Sequence, residues 1–234
     1  ALMQPGDTLV GMDLAGGGHL THGAAVNQSG KLYRAVSYGV DEKTGRIDYD
    51  RVEDIVRAAR PRLLVAGASA YPRVLDFKAF ADIAHRHGAV VIEDAAESMG
   101  ATYEGRQTGT FGDIAAISFN GNKIITTSGG GMLVSDEEAI TKKATFLATQ
   151  ARDPARYYQH SQIGYNYRMS NITAGIGRGQ LLHLEEHKAL KKKIYAAYKE
   201  AFADIPELTM NPMNEKGDAN CWLSCVTIEK GCSV

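Results

Sequence analysis

The sequence is short of cysteine. There are three among 234 residues, Cys221, Cys225 and Cys232, all near the C-terminus. An odd count so placed argues against a disulfide framework and for a reducing compartment, so the cytoplasm is expected. Cys221-x-x-x-Cys225 lacks the second pair of a zinc site, so no metal is expected. No apolar run approaches the roughly 20 residues that a membrane helix needs. Charge of one sign is also missing: the formal net charge is −1, which gives no reason to expect nucleic acid or an anionic membrane as partner. The stretch Ala1–Asp7 has neither the basic start nor the apolar core of a signal peptide. No internal repeat or low-complexity tract is present.

What is there is alternation. Thr8–Met12, Leu32–Val36, Arg62–Ala66, Val90–Asp94, Ile114–Phe119 and Met132–Val134 read as strands. Between them, Tyr49–Ala59 carries Val52, Ile55, Val56 and Ala59 at helical spacing. Phe77–His87 does the same with Phe77, Phe80, Ile83 and Ala84. Another helix is predicted from Glu137 to about Gln150. Tyr157–Met169 reads as an ordered loop. Ser170 or Asn171 can cap a long helix whose stripe Leu190, Ile194, Tyr198 and Phe202 reads as packing, and which Pro206 ends. A last strand-like stretch runs from Trp222 to Ile228. Strand–helix alternation predicts an α/β fold, a three-layer structure around a mostly parallel sheet. Ligands of such sheets bind beyond the C-terminal ends of the strands. The chain opens within a helix-to-strand connection and closes just after a strand, so further elements are expected on both sides.

Asp94 and Ser118 end two strands, and Lys123 follows the second after the turn Asn120-Gly121-Asn122. Pyridoxal-phosphate chemistry needs a carboxylate against the protonated pyridine nitrogen and an amine that anchors the cofactor and carries protons. Asp94 and Lys123 are the right types. Each also has an ordinary reading: Asp94 as a helix cap or ion-pair partner, Lys123 as a solvated surface lysine, Ser118 as a turn cap.

Longer stretches carry two resemblances. Ile92–Ala101 (IEDAAESMGA), Gly109–Asp113 (GTFGD), Ser118–Lys123 (SFNGNK), Thr126–Met132 (TTSGGGM) and Gly164–Asn171 (GYNYRMSN) make the chain from Val91 to about Val226 resemble the DegT-type nucleotide-sugar aminotransferases. The likeness is greatest to enzymes that aminate a UDP-linked 4-keto-6-deoxy-N-acetylhexosamine with glutamate. It implies a fold-type-I pyridoxal-phosphate transferase large domain, with Lys123 holding the cofactor as a Schiff base, Asp94 at the ring nitrogen and Ser118 at the phosphate. It places Glu97 beside the ring, Asn166 at the phosphate of a neighbouring subunit and Arg168 near that partner's substrate, so a homodimer is implied.

From Gln4 to about Gly88 the chain instead resembles serine hydroxymethyltransferase. The matching stretches include Pro5–Thr8 (PGDT), Gly17–Gly23 (GGHLTHG), Ser29–Tyr33 (SGKLY), Tyr38–Asp41 (YGVD), Ile47–Asp50 (IDYD) and Gly67–Pro72 (GASAYP). This likeness implies that His19 stacks on the cofactor ring and that Ser69 lies close to the cofactor. A flat imidazole against a flat, electron-poor ring is favourable. The two resemblances meet at Gly88–Val91 and suggest a chimera of two homologous large domains. The expected organisation is 1–88 as the hydroxymethyltransferase-like part, 89–205 as the aminotransferase-like part and 206–234 as the start of a small C-terminal domain. The expected activity is transamination of a nucleotide-linked keto sugar, weakened by missing phosphate donors. The alternatives are serine–glycine one-carbon transfer and a scaffold without turnover.

Overall fold

The computed structural model describes residues 2–229; Cys232 lies outside them. Eight short strands and six helices occupy most of the chain as far as α6. They are β1 Thr8–Met12, α1 Gln28–Leu32, β2 Arg34–Tyr38, α2 Tyr49–Ala59, β3 Leu63–Gly67, α3 Phe77–Arg86, β4 Val90–Asp94, β5 Thr102–Tyr103, β6 Arg106–Gln107, β7 Ile114–Ser118, β8 Gly131–Val134, α4 Glu138–Ala148, α5 Asn171–Leu181 and α6 Leu184–Ala201. β9 Leu208–Met210, β10 Gly217–Asp218 and β11 Val226–Ile228 follow.

The central sheet has the order β2-β1-β3-β4-β7-β8. All its pairs are parallel except β7–β8. β3, in the interior of the sheet, is buried at every residue, which explains why Leu63–Gly67 is continuously apolar rather than alternating. The two faces separate by parity. Val10, Met12, Leu64, Ala66 and Val91 meet Val52 and Val56 of α2 and Phe80, Ile83 and Ala84 of α3. Leu9, Leu63, Val65 and Ile92 point to the opposite face, where Leu2, Met3 and Tyr33 pack on them.

Caps set the helix starts. Asp48 accepts from the N–H groups of Asp50 and Arg51, and Asp76 from that of Ala79 at 2.9 Å, as short polar caps do at unpaired helix N-termini. β3 and β4 pair over Leu63–Gly67 and Val90–Asp94 without a bulge, so the sheet is continuous across Gly88–Val91. Phe77 stacks on Phe111 with centroids 4.9 Å apart. His85 Nε2 lies 3.0 Å from Asp113 Oδ1.

Three expectations needed correction. The long helix after Ser170 is two helices, broken at Leu182–His183. Ser170 does cap the first, accepting from Thr173 N at 3.2 Å. Gly175, Gly177 and Gly179 weaken that helix, and a Cβ on Gly177 would stand 2.9 Å from the Thr127 methyl, so glycine permits the close approach. The second helix begins afresh with Glu185 and Glu186 in its first turn, at the positive end of the helix dipole.

Of the stripe Leu190, Ile194, Tyr198 and Phe202, the first three are 46–49% exposed and only Phe202, stacked on Tyr198, is half-buried, so the stripe is largely unpacked. The buried side of α6 is instead Lys188 and Tyr195. Lys188 Nζ donates to Gly100 O at 2.7 Å and pairs with Asp218 Oδ2 at 2.6 Å. Tyr195 donates to Asn211 O at 2.6 Å. The last strand is also shorter than Trp222–Ile228. Only Val226–Ile228 is a strand, paired antiparallel with Leu208–Met210, because Asn220–Trp222 turns toward the centre of the molecule.

Candidate functional site

Strand direction brings the site together. Asp94 and Ser118 end β4 and β7, and Lys123 follows in a turn closed by its N–H to Asn120 O at 3.0 Å. With His19, Thr21, His22, Glu97 and Asn120 they line one cavity of about 470 Å³, within the range of small-ligand sites. It extends over the second face of the sheet, where Leu9, Leu63, Val65 and Ile92 form its floor.

Lys123 Nζ lies 2.5 Å from Glu97 Oε1, with both side chains largely buried. Ser69 Oγ approaches the same Oε1 at 3.5 Å, so Ser69 meets the site through Glu97. Glu97 Oε2 is buried and has no hydrogen-bond partner among the described residues. A buried acceptor left unpaired is costly, and here it adjoins the cavity.

Asp94 Oδ2 lies 2.8 Å from His22 Nε2, and its Oδ1 accepts Ala96 N–H at 3.2 Å. His22 is 4% exposed. His19 N–H donates to His22 Nδ1 at 3.3 Å, so Nδ1 accepts and Nε2 carries the proton given to Asp94. Burial pushes the Asp94 carboxyl up, but the His22 hydrogen bond, with the Ala96 N–H, outweighs it. The net effect holds Asp94 below the usual carboxylate range. The next carboxyl, Glu93, behaves oppositely: burial pushes it up despite bonds from Gly109, Phe111 and Gly112 N–H. Glu93 points away from the cavity and pins the 109–112 loop, accepting Gly109 N–H at 2.6 Å and Phe111 N–H at 2.8 Å.

The residues fit pyridoxal phosphate. An ionised carboxylate and an enclosed amine line one cavity together with Glu97, and Ser118 and Asn120 offer polar groups at the strand end. His19 lines the cavity, with its Nδ1 2.8 Å from Thr21 Oγ1. Asn166 and Arg168 do not join this constellation. Both are exposed, in the stretch leading to α5. The sequence reading missed His22, although it sits within Gly17–Gly23. The His-x-x-His spacing was the available signal: His19 caps a 3-10 turn that ends at His22 and turns the second ring inward. Trp222 was also missed, and nothing in its local sequence marks it.

A parallel sheet with a carboxylate ending one strand and an amine after the next defines a pyridoxal-phosphate transferase fold of the aminotransferase kind. The model of the DegT/DnrJ/EryC1/StrS aminotransferase family matches residues 20–233, and the chain belongs to that family. EpsN of Bacillus subtilis, by its provisional name a pyridoxal phosphate-dependent aminotransferase, is 53% identical over 147 residues, covering 63% of this chain and 38% of EpsN. Serine hydroxymethyltransferase of Campylobacter hominis is 40% identical over 173 residues, 73% of this chain and 41% of that enzyme. GDP-perosamine synthase of Caulobacter vibrioides is 34% identical over 194 residues, 82% and 52% of the two chains. Among solved structures, the PLP form of a provisionally named sugar aminotransferase from Streptococcus pneumoniae superposes with a TM-score of 0.82 at 19% identity, covering 97% of this chain and 62% of that one. The chain thus spans between about two fifths and a half of the length of these three curated relatives.

Proposed function

We infer that the protein is a pyridoxal-phosphate-dependent aminotransferase of nucleotide-linked keto sugars, with glutamate as amino donor. One observation carries this: Lys123 Nζ and the ionised Asp94 carboxylate line the same cavity beyond parallel strands. Membership of the family and the likeness to GDP-perosamine synthase support the substrate class.

When bound, the cofactor would supply an electron sink for moving a proton at the amine-bearing carbon. Asp94 holds a negative charge for the ring nitrogen, and His22 fixes its orientation. Lys123 would anchor the cofactor and carry the proton, which Glu97 Oε1, 2.5 Å from Nζ, can take or return. Ser118 would hold the phosphate, and His19 would lie against the ring. Ser69 keeps Glu97 in place.

Asn166 and Arg168 then act across an interface, on the phosphate and substrate of a second copy. Ile163, Tyr167 and Ile172, close to them in the chain, are 76–83% exposed, apolar groups that a dimer would cover. No helix among the described residues is long and apolar enough to cross a membrane, and the reading places the protein in the cytoplasm.

We also infer a junction at Gly88–Val91 between a hydroxymethyltransferase-like part, 1–88, and an aminotransferase-like part, 89–205, with 206–234 beginning a small domain. The stretches of residues 4–88 that resemble hydroxymethyltransferase motivate it, but the hydroxymethyltransferase match, 40% identical over 173 residues, is longer than that part and runs across the junction. The family model, running unbroken from 20 to 233, equally fits one divergent chain. That hydroxymethyltransferase likeness, with His19 at the cavity, favours serine–glycine one-carbon transfer as the second reading.

The test is a pyridoxal-phosphate titration followed by borohydride reduction and peptide mapping. A pyridoxyl mass on Lys123, with glutamate-dependent conversion of the cofactor to its amine, is expected. Label scattered over surface lysines would overturn the assignment. Serine-dependent spectral change with a folate, but none with glutamate, would select the second reading.

A further inference from the structure

Trp222 is the single tryptophan of the chain, and the cofactor reading gives it no task. Lys123 Nζ sits over its indole, 4.5 Å from the ring centroid. At this distance an ammonium is attracted to the negative face of the ring. Glu97 Oε1 contacts the same Nζ at 2.5 Å, and the lysine side chain is only 10% exposed.

The placement of Trp222 is built. Asn220, itself 4% exposed, donates through Nδ2 to Glu97 O at 2.8 Å and Met99 O at 3.0 Å, and accepts Trp222 N–H at 3.2 Å. Cys221 takes a φ of 52°, a left-handed conformation that a residue with a Cβ keeps only when its surroundings hold it there. The indole packs against the cluster of Phe119, Ile124 and Ile125 that flanks Lys123 in sequence. Asn220 therefore ties the backbone beside Glu97 to the indole, and both groups that hold the amine are set by one short segment.

We propose that Trp222 is a positioning residue for Lys123: its indole face and the Glu97 carboxylate cradle the ammonium and restrict the lysine to one direction at the wall of the cavity. The inference takes from the proposed function only the role of Lys123, and the contact exists without cofactor.

Because there is one tryptophan, growth on fluorinated tryptophans alters position 222 alone and weakens the negative ring face while nearly keeping its shape. Trace acetylation of the cofactor-free full chain with labelled acetic anhydride, read at Lys123 by mass mapping against exposed Lys78, then reports how firmly the ammonium is held. At neutral pH, labelling of Lys123 should rise stepwise with fluorine number, to roughly fivefold, as expected for an ammonium–indole attraction of ordinary size. Trp222→Leu should reach about tenfold, and Trp222→Phe should stay within about threefold of the parent. Flat labelling across the fluorinated series would overturn the proposal. So would equal labelling of the Trp222→Leu and Trp222→Phe variants, since that would make the ring a mere cover. Lys123 is labelled here by acetylation alone, so the result is independent of whether it takes pyridoxal phosphate.

Discussion

Asparagine at position 94 separates the charge of the carboxylate from its shape. Asp94 accepts from His22 Nε2 at 2.8 Å and from Ala96 N at 3.2 Å. An amide has one acceptor oxygen, so one of these two donors would face an NH₂ group. Leaving a largely buried donor unpaired costs about 1–3 kcal/mol, and bonds to a charged group contribute about 1.5–3 kcal/mol. Asp94→Asn should therefore lose about 2 kcal/mol of unfolding free energy at neutral pH. The sign of the pH dependence follows from the carboxyl being held below its usual range in the folded state, against the push of burial. Stability from the ionised form is complete above the unfolded value, about 3.9, and is lost as pH falls through the lower folded value. A protonated carboxyl has the same donor and acceptor pattern as the amide, so parent and variant converge. Urea unfolding of both chains at a series of pH values, with equal slopes as the check on two-state behaviour, should show a gap of about 2 kcal/mol near neutrality that closes below about pH 4. No gap at neutral pH, or a gap unchanged down to about pH 3, would refute the account of Asp94 as an ionised acceptor held by His22.

Glu93→Gln places an NH₂ against the N–H of Gly109 or Phe111, now 2.6 and 2.8 Å from carboxylate oxygens; a loss of about 2 kcal/mol in urea unfolding is expected. Gly18→Ala would drive a Cβ into Met12 O, so the loop carrying His19 must shift, and the variant should lose the His22–Asp94 contact, visible as a changed His22 ring resonance by NMR. Asn220→Ala removes three hydrogen bonds around Trp222, roughly 3 kcal/mol at about 1 kcal/mol each, and should shift the single tryptophan's emission to the red. Ile163→Glu puts a charge on the exposed apolar surface and should lower the dimer fraction in sedimentation velocity; an unchanged distribution would remove that surface from the interface.

Most of the sheet was legible because its signals are local. Val90–Asp94 and Tyr49–Ala59 are found with the bounds read from the sequence, one a short buried run and the other a periodic face behind an Asp48 cap. Leu32–Val36 slid to Arg34–Tyr38, since nothing in the run itself fixes where a strand begins. The stripe on α6 misled because periodicity reports an apolar face without saying what covers it. Burial went to Lys188, which no hydropathy pattern would select, through long-range partners at Gly100 and Asp218. The site divides the same way. Asp94, Ser118 and Lys123 follow from strand ends and residue type. His22 was signalled only by the His-x-x-His spacing, and its partner Asp94 lies 72 residues away; Trp222 owes its position to contacts far along the chain.

Those distant contacts also show why the site needs both parts of the chain. β4 lies between β3, from the stretch before Gly88, and β7, from the stretch after it. His22 comes from the first part and meets Asp94 of the second at 2.8 Å. Ser69 comes from the first and meets Glu97 of the second at 3.5 Å. Phe77 on Phe111 and His85 on Asp113 repeat the pattern away from the cavity. Take away the first part, and Asp94 keeps the Ala96 N–H but loses the histidine that offsets its burial. Its carboxyl would then be pushed toward neutrality where a cofactor ring nitrogen needs a charge. Take away the second, and no amine remains at the cavity. The ionised carboxylate that the proposed chemistry requires is a property of the whole sheet.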